Sequence, residues 1–173
     1  AVTFSEGPLL VVAGAGSGKT RVITRRIAYL VREGIPPDHI LGITFTNKAA
    51  DEMRNRVEAL VGREVTVRTF HSLGAWILRH EGDQLGLDPG FSIFDQTDSR
   101  RLVRQIRDEQ NYDPESHRPA ELLDSISAWK DELLPPAEAK REAVGIEEEH
   151  AAEVYRLYQN RLATNNALDF DDL

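Results

Sequence analysis

The stretch from Pro8 to Thr20 constrains this chain more than any other. An apolar run, Pro8-Leu9-Leu10-Val11-Val12, gives way to Ala13-Gly14-Ala15-Gly16-Ser17-Gly18-Lys19-Thr20-Arg21 and then to the amphipathic stretch Val22 to Leu30. That order predicts strand, glycine-rich loop and helix, the setting a phosphate-binding loop requires. Gly14, Gly16 and Gly18 let the backbone curl so that its N–H groups point inward at phosphate oxygens. A helix starting near Gly18 adds free N–H groups and the positive end of its dipole. Lys19 is placed to reach the β- and γ-phosphates as a mobile charge, and Thr20 to offer its hydroxyl to Mg²⁺. Residues Ala13, Gly14, Ala15, Gly16, Ser17, Gly18, Lys19, Thr20 and Arg21 are therefore the candidate nucleotide site. Lys19 and Thr20 are its catalytic pair, and Thr20 is its metal ligand. The strict pattern G-x-x-x-x-G-K-[ST] begins with glycine where this chain has Ala13, a residue small enough to serve. The competing reading is a glycine-rich turn that binds nothing.

Length and composition bound the rest. A chain of 173 residues fits one domain, or one domain with a sizeable insertion. With 40% hydrophobic and 29% charged residues, the composition is that of an ordinary soluble globular protein. The absence of cysteine excludes disulfides, thiolate metal sites and a cysteine nucleophile. It fits a reducing compartment, and a cytoplasmic location is expected. No apolar run approaches the length of a bilayer span and no signal core is present, so no membrane partner is expected. The first residue is Ala1 and the chain closes on Asp171-Asp172-Leu173; both ends read as cut from something longer.

The net charge of −8 argues at face value against a nucleic-acid partner, but the average hides an asymmetry. Residues 1–80 carry 11 Lys/Arg and 7 Asp/Glu, whereas residues 81–173 carry 10 and 22. The basic surplus sits with the glycine-rich loop, and positive charge gathered locally can still engage a polyanion.

Taken in order, residues 18–32 read as a helix with Val22, Ile23, Ile27, Leu30 and Val31 on one side, stopped by Gly34 and Pro36-Pro37. Arg21 is placed to touch a nucleotide; Arg25 and Arg26 read as solvated helix charges. Ile40 to Phe45 reads as a second buried strand, leading into a helix capped by Thr46 or Asn47 with Met53, Val57, Leu60 and Val61 on one face. Phe45, Thr46, Asn47 and Lys48 then put an aromatic ring and hydroxyl, amide and ammonium donors at one strand end. Such groups hold a phosphodiester backbone and stack on bases. The plainer reading makes Phe45 a core residue and Thr46 a cap. Val65 to Phe70 reads as a third strand running into a helix, again with Thr69, Phe70, His71 and Ser72 at the junction. No metal is expected at His71, which has no second ligand at suitable spacing.

Three strand–helix units predict a parallel, buried sheet, in which ligands sit at the carboxyl ends of strands. The texture changes after about residue 85. Phe91 to Asp95 reads as a brief extended piece. Acidic helices follow around Leu102-Val103-Ile106, around Leu122 to Trp129, from Ala137 to Val144, and from Glu147 to Leu162.

With these residues in place the chain resembles the UvrD/Rep/PcrA type of superfamily 1 DNA helicase. Ala13 to Arg21 resembles that family's first helicase motif, including Ala in place of the leading Gly. Ile43-Thr44-Phe45-Thr46-Asn47-Lys48-Ala49-Ala50, with Glu52-Met53 following, resembles motif Ia. Thr69-Phe70-His71-Ser72 resembles the next DNA-contacting motif, and Leu168-Asp169-Phe170-Asp171-Asp172-Leu173 the segment returning from the family's helical insertion. The resemblance spans essentially all 173 residues.

It implies an α/β fold: an incomplete P-loop NTPase (RecA-like) parallel sheet with an all-α inserted subdomain. Residues 1–90 would be part of the ATP-binding domain, 91–166 the helical insertion lying against duplex DNA, and 167–173 the return segment. It implies ATP and Mg²⁺ as cofactors, held by Gly16, Gly18, Lys19 and Thr20, with Arg21 near the nucleotide. It implies single-stranded DNA on Phe45, Thr46, Asn47, Lys48, Thr69, Phe70, His71 and Ser72, and 3′→5′ movement in repair or replication. The partners it implies are single-stranded DNA and its junctions with duplex, the remainder of the helicase chain, and other repair or replication proteins.

The family's adenine-reading glutamine, its Asp-Glu motif and its second motor domain fall outside these residues, so the chain is expected to be an inactive fragment of an active parent. Asp169, Asp171 and Asp172 are not expected to hold Mg²⁺, because no long apolar strand precedes them. Two other classes remain open: a non-catalytic interaction module, and a small-molecule P-loop kinase, for which the acidic helical part offers no evident lid.

Overall fold

The helices form where apolar residues recur at helical spacing, and the strands form only where each finds a partner. In the computed structural model, which describes residues 1–4 and 6–173, the chain divides into two compact units, 1–73 and 74–173.

The first unit contains α1 (Lys19–Arg32), a 3-10 turn (Pro37–His39), β1 (Leu41–Thr44), α2 (Asn47–Val61) and β2 (Thr66–Thr69). β1 and β2 pair in parallel, Leu41 opposite Thr66 and Thr44 opposite Thr69. Strand alternation turns Gly42, Val65 and Val67 toward one face, where they meet Ile27 of α1 and Met53 and Val57 of α2. A Cβ at Gly42 would lie 3.3 Å from a Val67 methyl and 3.4 Å from the Met53 sulfur, so glycine lets sheet and helix approach. The other face of the pair, with Leu41 and Ile43, is open.

Residues 8–13 correct the sequence reading. No strand forms there, and Leu10 and Val12 are 87% and 88% exposed. An apolar, β-prone run becomes a strand only when its N–H and C=O groups find a ladder, and among the described residues none pairs with it. The expected three-stranded sheet is accordingly a two-stranded one.

The division between the units falls within α3 (Phe70–Glu81). Beyond it lie a 3-10 turn (Gly82–Leu85), β3 (Ser92–Ile93), α4 (Gln96–Glu109), α5 (Pro119–Asp131), α6 (Pro136–Glu142), α7 (Ile146–Thr164), β4 (Ala167–Leu168) and a closing 3-10 turn (Phe170–Asp172). Asp95 caps α4 in a reciprocal box with Asp98, and Pro119 and Pro136 open their helices at a position where the missing N–H costs nothing. The core here is larger: Val103 and Ile106 of α4, Ile126 of α5, and Val154 and Tyr158 of α7 are all fully enclosed. β4 pairs in parallel with β3, Ser92 opposite Ala167, and so brings the last residues back to the start of the helical stretch.

Candidate functional site

The glycine-rich loop is shaped by two left-handed residues, Gly16 (φ +75°) and Gly18 (φ +89°). A Cβ at Gly16 would meet nothing within 4 Å, so conformation rather than crowding calls for glycine there. Ser17 closes the turn, donating from both its N–H (3.4 Å) and its hydroxyl (2.6 Å) to the carbonyl of Gly14. Lys19 folds back over the loop, its Nζ donating to the carbonyls of Ala13 (3.2 Å) and Gly14 (2.7 Å). An ammonium lying across its own loop's carbonyls is free to exchange them for phosphate oxygens without leaving the site.

Gly18 opens α1 with no side-chain cap. The first bond to that cap runs from the Val22 N–H to the Gly18 carbonyl at 3.0 Å, which leaves the N–H groups of Lys19, Thr20 and Arg21 for an external acceptor. Gly16, Ser17, Gly18, Arg21, Val22 and Arg25 line, with Val2, an open hollow of about 430 Å³. Backbone N–H donors, two guanidinium groups and a helix N-terminus suit an anion such as a polyphosphate. For a divalent cation the loop offers the hydroxyl of Thr20, that of Ser17 being turned to the Gly14 carbonyl, and among the described residues no group of three His, Cys, Asp or Glu is placed to hold a metal ion. Arg26, expected as a solvated charge, instead donates to the carbonyls of Ala1 (3.0 Å) and Phe4, and its guanidinium lies 5.9 Å from the Phe4 ring centroid.

The second and third candidate clusters come together. Because Thr44 lies opposite Thr69, the chain leaves β1 and β2 at the same end of the pair, and Phe45 and Phe70 follow side by side. Their ring centroids are 5.3 Å apart with the planes tilted 43°. Phe45 is 86% exposed and Phe70 53%. The core reading of Phe45 therefore fails, while the cap reading of Thr46 holds: its Oγ1 accepts from the Ala49 N–H at 3.2 Å.

At the head of α3, Thr69 and Ser72 exchange bonds. The Thr69 N–H donates to Ser72 Oγ (2.9 Å), the Ser72 N–H donates to Thr69 Oγ1 (3.2 Å), and the Ser72 hydroxyl donates to the Thr69 carbonyl (3.1 Å). Thr69 is buried. Of the eight residues, Thr46, Thr69 and Ser72 spend their hydroxyls on helix ends, and Phe45, Asn47, Lys48, Phe70 and His71 are exposed. The hollow beside residues 16–18 is lined by none of these eight.

Sequence reasoning passed over Arg54. Its Nη2 donates to the Val67 carbonyl (3.0 Å) and its Nη1 to Asp51 (2.8 Å), so it ties α2 to β2 along an open groove of about 920 Å³ that also takes in Asn47, Thr69 and Ser72. The signal was an arginine three residues after an aspartate on the same helix, too common a spacing to single out.

The three C-terminal aspartates are engaged structurally. Asp169 is buried and accepts from Lys130 Nζ (2.8 Å), the Tyr158 hydroxyl (2.9 Å) and the backbone N–H groups of Asp171 and Asp172 (both 3.1 Å). Asp172 accepts from the same ammonium at 2.8 Å, and Asp171 accepts from the Ser127 hydroxyl. Burial pushes the Asp169 carboxyl up, but Lys130 outweighs it and holds the group below its ordinary value; burial raises Asp172, and raises the Tyr158 hydroxyl. Carboxylates bonded in this way are not free to gather a metal.

Comparison with known proteins places this geometry. Residues 1–173 match the model of the UvrD/REP helicase N-terminal domain. The chain is 48% identical over 177 aligned positions to an ATP-dependent DNA helicase PcrA of Staphylococcus epidermidis and 47% identical to that of Staphylococcus aureus. All of this chain is covered in both comparisons, and it spans 24% of the length of each relative. No described helix is long and apolar enough to cross a membrane. The chain belongs to the UvrD/REP helicase N-terminal domain family.

Proposed function

We propose that these residues are the N-terminal part of an ATP-dependent DNA helicase of the PcrA type, in which Ala13–Arg21 bind ATP-Mg²⁺ and the ends of β1 and β2 track single-stranded DNA. The observation that carries the reading is the exposed ring pair of Phe45 and Phe70 at one end of two parallel strands. Two large apolar rings this exposed lie outside the enclosed core, whereas an aromatic platform beside Asn47, Lys48 and His71 suits stacked bases and a phosphodiester.

The same reading gives the sheet of the first unit as part of a RecA-like P-loop domain, with residues 91–166 as its helical insertion and 167–173 as the return. Its open face and the exposed run 8–13 are the surfaces the remainder of the helicase chain would cover. When present, Mg²⁺ would supply charge neutralisation for the phosphates. Of this chain's own residues, Lys19 would trade the carbonyls of Ala13 and Gly14 for phosphate, the N–H groups at the head of α1 would receive the remaining oxygens, and Thr20 would offer its hydroxyl to the metal. Among the described residues that line the hollow there is no carboxylate to orient a water, so the chain by itself is expected to hold nucleotide without turning it over.

The test has two arms. In the 173-residue chain, Phe45→Ala and Phe70→Ala should each weaken binding of a labelled oligothymidylate by roughly 1–3 kcal/mol, the value of one stacked base. In the full-length protein, Lys19→Ala should abolish DNA-stimulated ATP hydrolysis. Unchanged oligonucleotide affinity in both phenylalanine variants would remove the platform, and intact stimulated turnover in Lys19→Ala would remove the motor.

A further inference from the structure

The buried titratable pair that the proposed motor leaves unused lies in the second unit. His117, in the loop between α4 and α5, is only 7% exposed. Its Nδ1 lies 3.2 Å from the carbonyl of Asp113, and its Nε2 lies 3.0 Å from Nδ1 of His150 in the second turn of α7. The ring of Tyr112 stacks on both, with centroids 4.1 Å from His150 at 15° and 5.1 Å from His117 at 29°. We propose that His117 and His150 are an acid-sensitive latch that fastens the 111–118 loop to the start of α7.

The proton positions follow from the partners. A carbonyl oxygen only accepts, so His117 Nδ1 carries the hydrogen. Neutral His117 then presents a lone pair at Nε2, and His150 Nδ1 must be the donor that meets it. A first added proton goes to His150 Nε2, on the far side of its ring; the bond survives and becomes charge-assisted. A second proton has only His117 Nε2 to occupy. There it would set N–H against N–H at 3.0 Å and place two like charges side by side, one of them inside the protein. The contact must then open.

Most of the surrounding charges are engaged elsewhere, although Asp113 faces His117 electrostatically. On the loop, Asp113 accepts from the N–H (3.1 Å) and hydroxyl (2.7 Å) of Ser116, and Arg118 sits between Glu115 (3.8 Å) and Glu121 (3.6 Å). On α6, Lys140 is paired with Glu153 of α7 at 2.9 Å. On α7, the hydrogen bond from Arg156 holds Glu153 far below its ordinary value, at about 2, and Glu148 accepts from the Val144 N–H at 2.7 Å. Glu147 and Glu149 stand exposed on the first turn of α7. The carboxylates bonded nearest the dyad are already committed, so none of them replaces the bond that the second proton breaks.

The test uses the 173-residue chain. Long-range ¹H–¹⁵N spectra of the histidine rings should show His117 as the Nδ1–H tautomer at neutral pH. Amide exchange of residues 147–151, corrected for its intrinsic pH dependence, should accelerate about tenfold between neutral and about pH 5, a shift of about 1.4 kcal/mol in the opening equilibrium. His117→Phe keeps the stacked ring and cannot take a proton; His150→Gln keeps a donor and does not titrate. Both should flatten the pH response. An Nε2–H tautomer at His117 in the parent chain overturns the latch, as does an undiminished acceleration in either folded variant. Should one variant fail to fold, the tautomer and the other variant decide it.

Discussion

In residues 1–73 apolar side chains stand in solvent, whereas in residues 74–173 a lysine and an aspartate are inside. Leu10, Val12, Phe45, Leu41 and Ile43 of the first unit are exposed to different degrees, around a core in which Met53, Val57 and Val67 meet one face of a two-stranded sheet. The second unit encloses Val103, Ile106, Ile126, Val154 and Tyr158, and around Tyr158 it buries Lys130 and Asp169. Parallel strands are normally covered on both faces, so the strand pair of the first unit has a face still to bury, while the second unit leaves Leu85, Leu133, Val144 and Ile146 in solvent around a larger enclosed core. The second unit uses one ammonium to fix where the chain returns.

The comparison predicts that the two units fail separately and for different reasons. The largest effect should follow Lys130→Met. It leaves Asp169 and Asp172 facing each other without their shared cation, and breaking a buried pair in this way costs about 3–5 kcal/mol. The pH dependence fixes the sign. Asp169 is held low, so its contribution is present above its unfolded value and lost as pH falls. Asp172 is raised, so its contribution is present at low pH and lost as pH rises. Without Lys130, burial and the proximity of the two carboxyls favour their neutral forms, opposed only by the hydrogen bonds that remain within the network. The deficit of Lys130→Met should therefore shrink between neutral pH and about pH 4, where carboxylates begin to protonate. Urea unfolding at both values checks it; a deficit that grows on acidification would mean the ammonium is not what holds the pair.

Next in size is Met53→Ala. Met53 is buried beneath Gly42 and within the small core of the first unit, and truncating a buried methionine costs about 2–5 kcal/mol. Hydrogen exchange should rise throughout α1, α2, β1 and β2 while α4, α5 and α7 keep their protection. Equal loss in both units would break the comparison, since it would mean that the chain unfolds as one body.

Much of this was legible in the sequence, and the failures have physical causes. Periodicity located the seven described helices, most clearly α4, α5 and α7, which bury whole stripes; α2 starts after Thr46 and α7 spans the Glu147 to Leu162 face as read. Residues 8–13 misled because a strand depends on a neighbour that local composition does not contain. The ring pair of Phe45 and Phe70 was half visible: both clusters were read, but their adjacency depends on the register of Thr44 with Thr69. The Lys130 network was missed because its members lie 39 and 42 residues apart. A signal did exist. Lys130 follows Leu122 and Ile126 at helical spacing, so it stands in the buried stripe of α5, where a lysine demands a carboxylate. The histidine dyad carried no such mark, since two histidines 33 residues apart have no shared pattern.

The smallest expected effect separates two roles of one residue in the first unit. Thr46 caps α2 through its hydroxyl and also belongs to the cluster proposed to meet DNA. Thr46→Ala removes the cap and should cost about 1 kcal/mol of stability, so any loss of DNA binding in that variant is ambiguous. Thr46→Asp resolves it. Aspartate caps at least as well as threonine and its charge complements the positive end of the helix, so the fold should keep its stability within about 0.5 kcal/mol. The same charge beside Phe45 and Lys48 would repel a phosphodiester. Thr46→Asp should therefore unfold at the parent's urea midpoint and bind an oligothymidylate more weakly, most clearly at low salt where exposed charges are least screened. Equal affinity at low salt would leave Thr46 a cap alone, and the exposed rings would have to hold DNA without it.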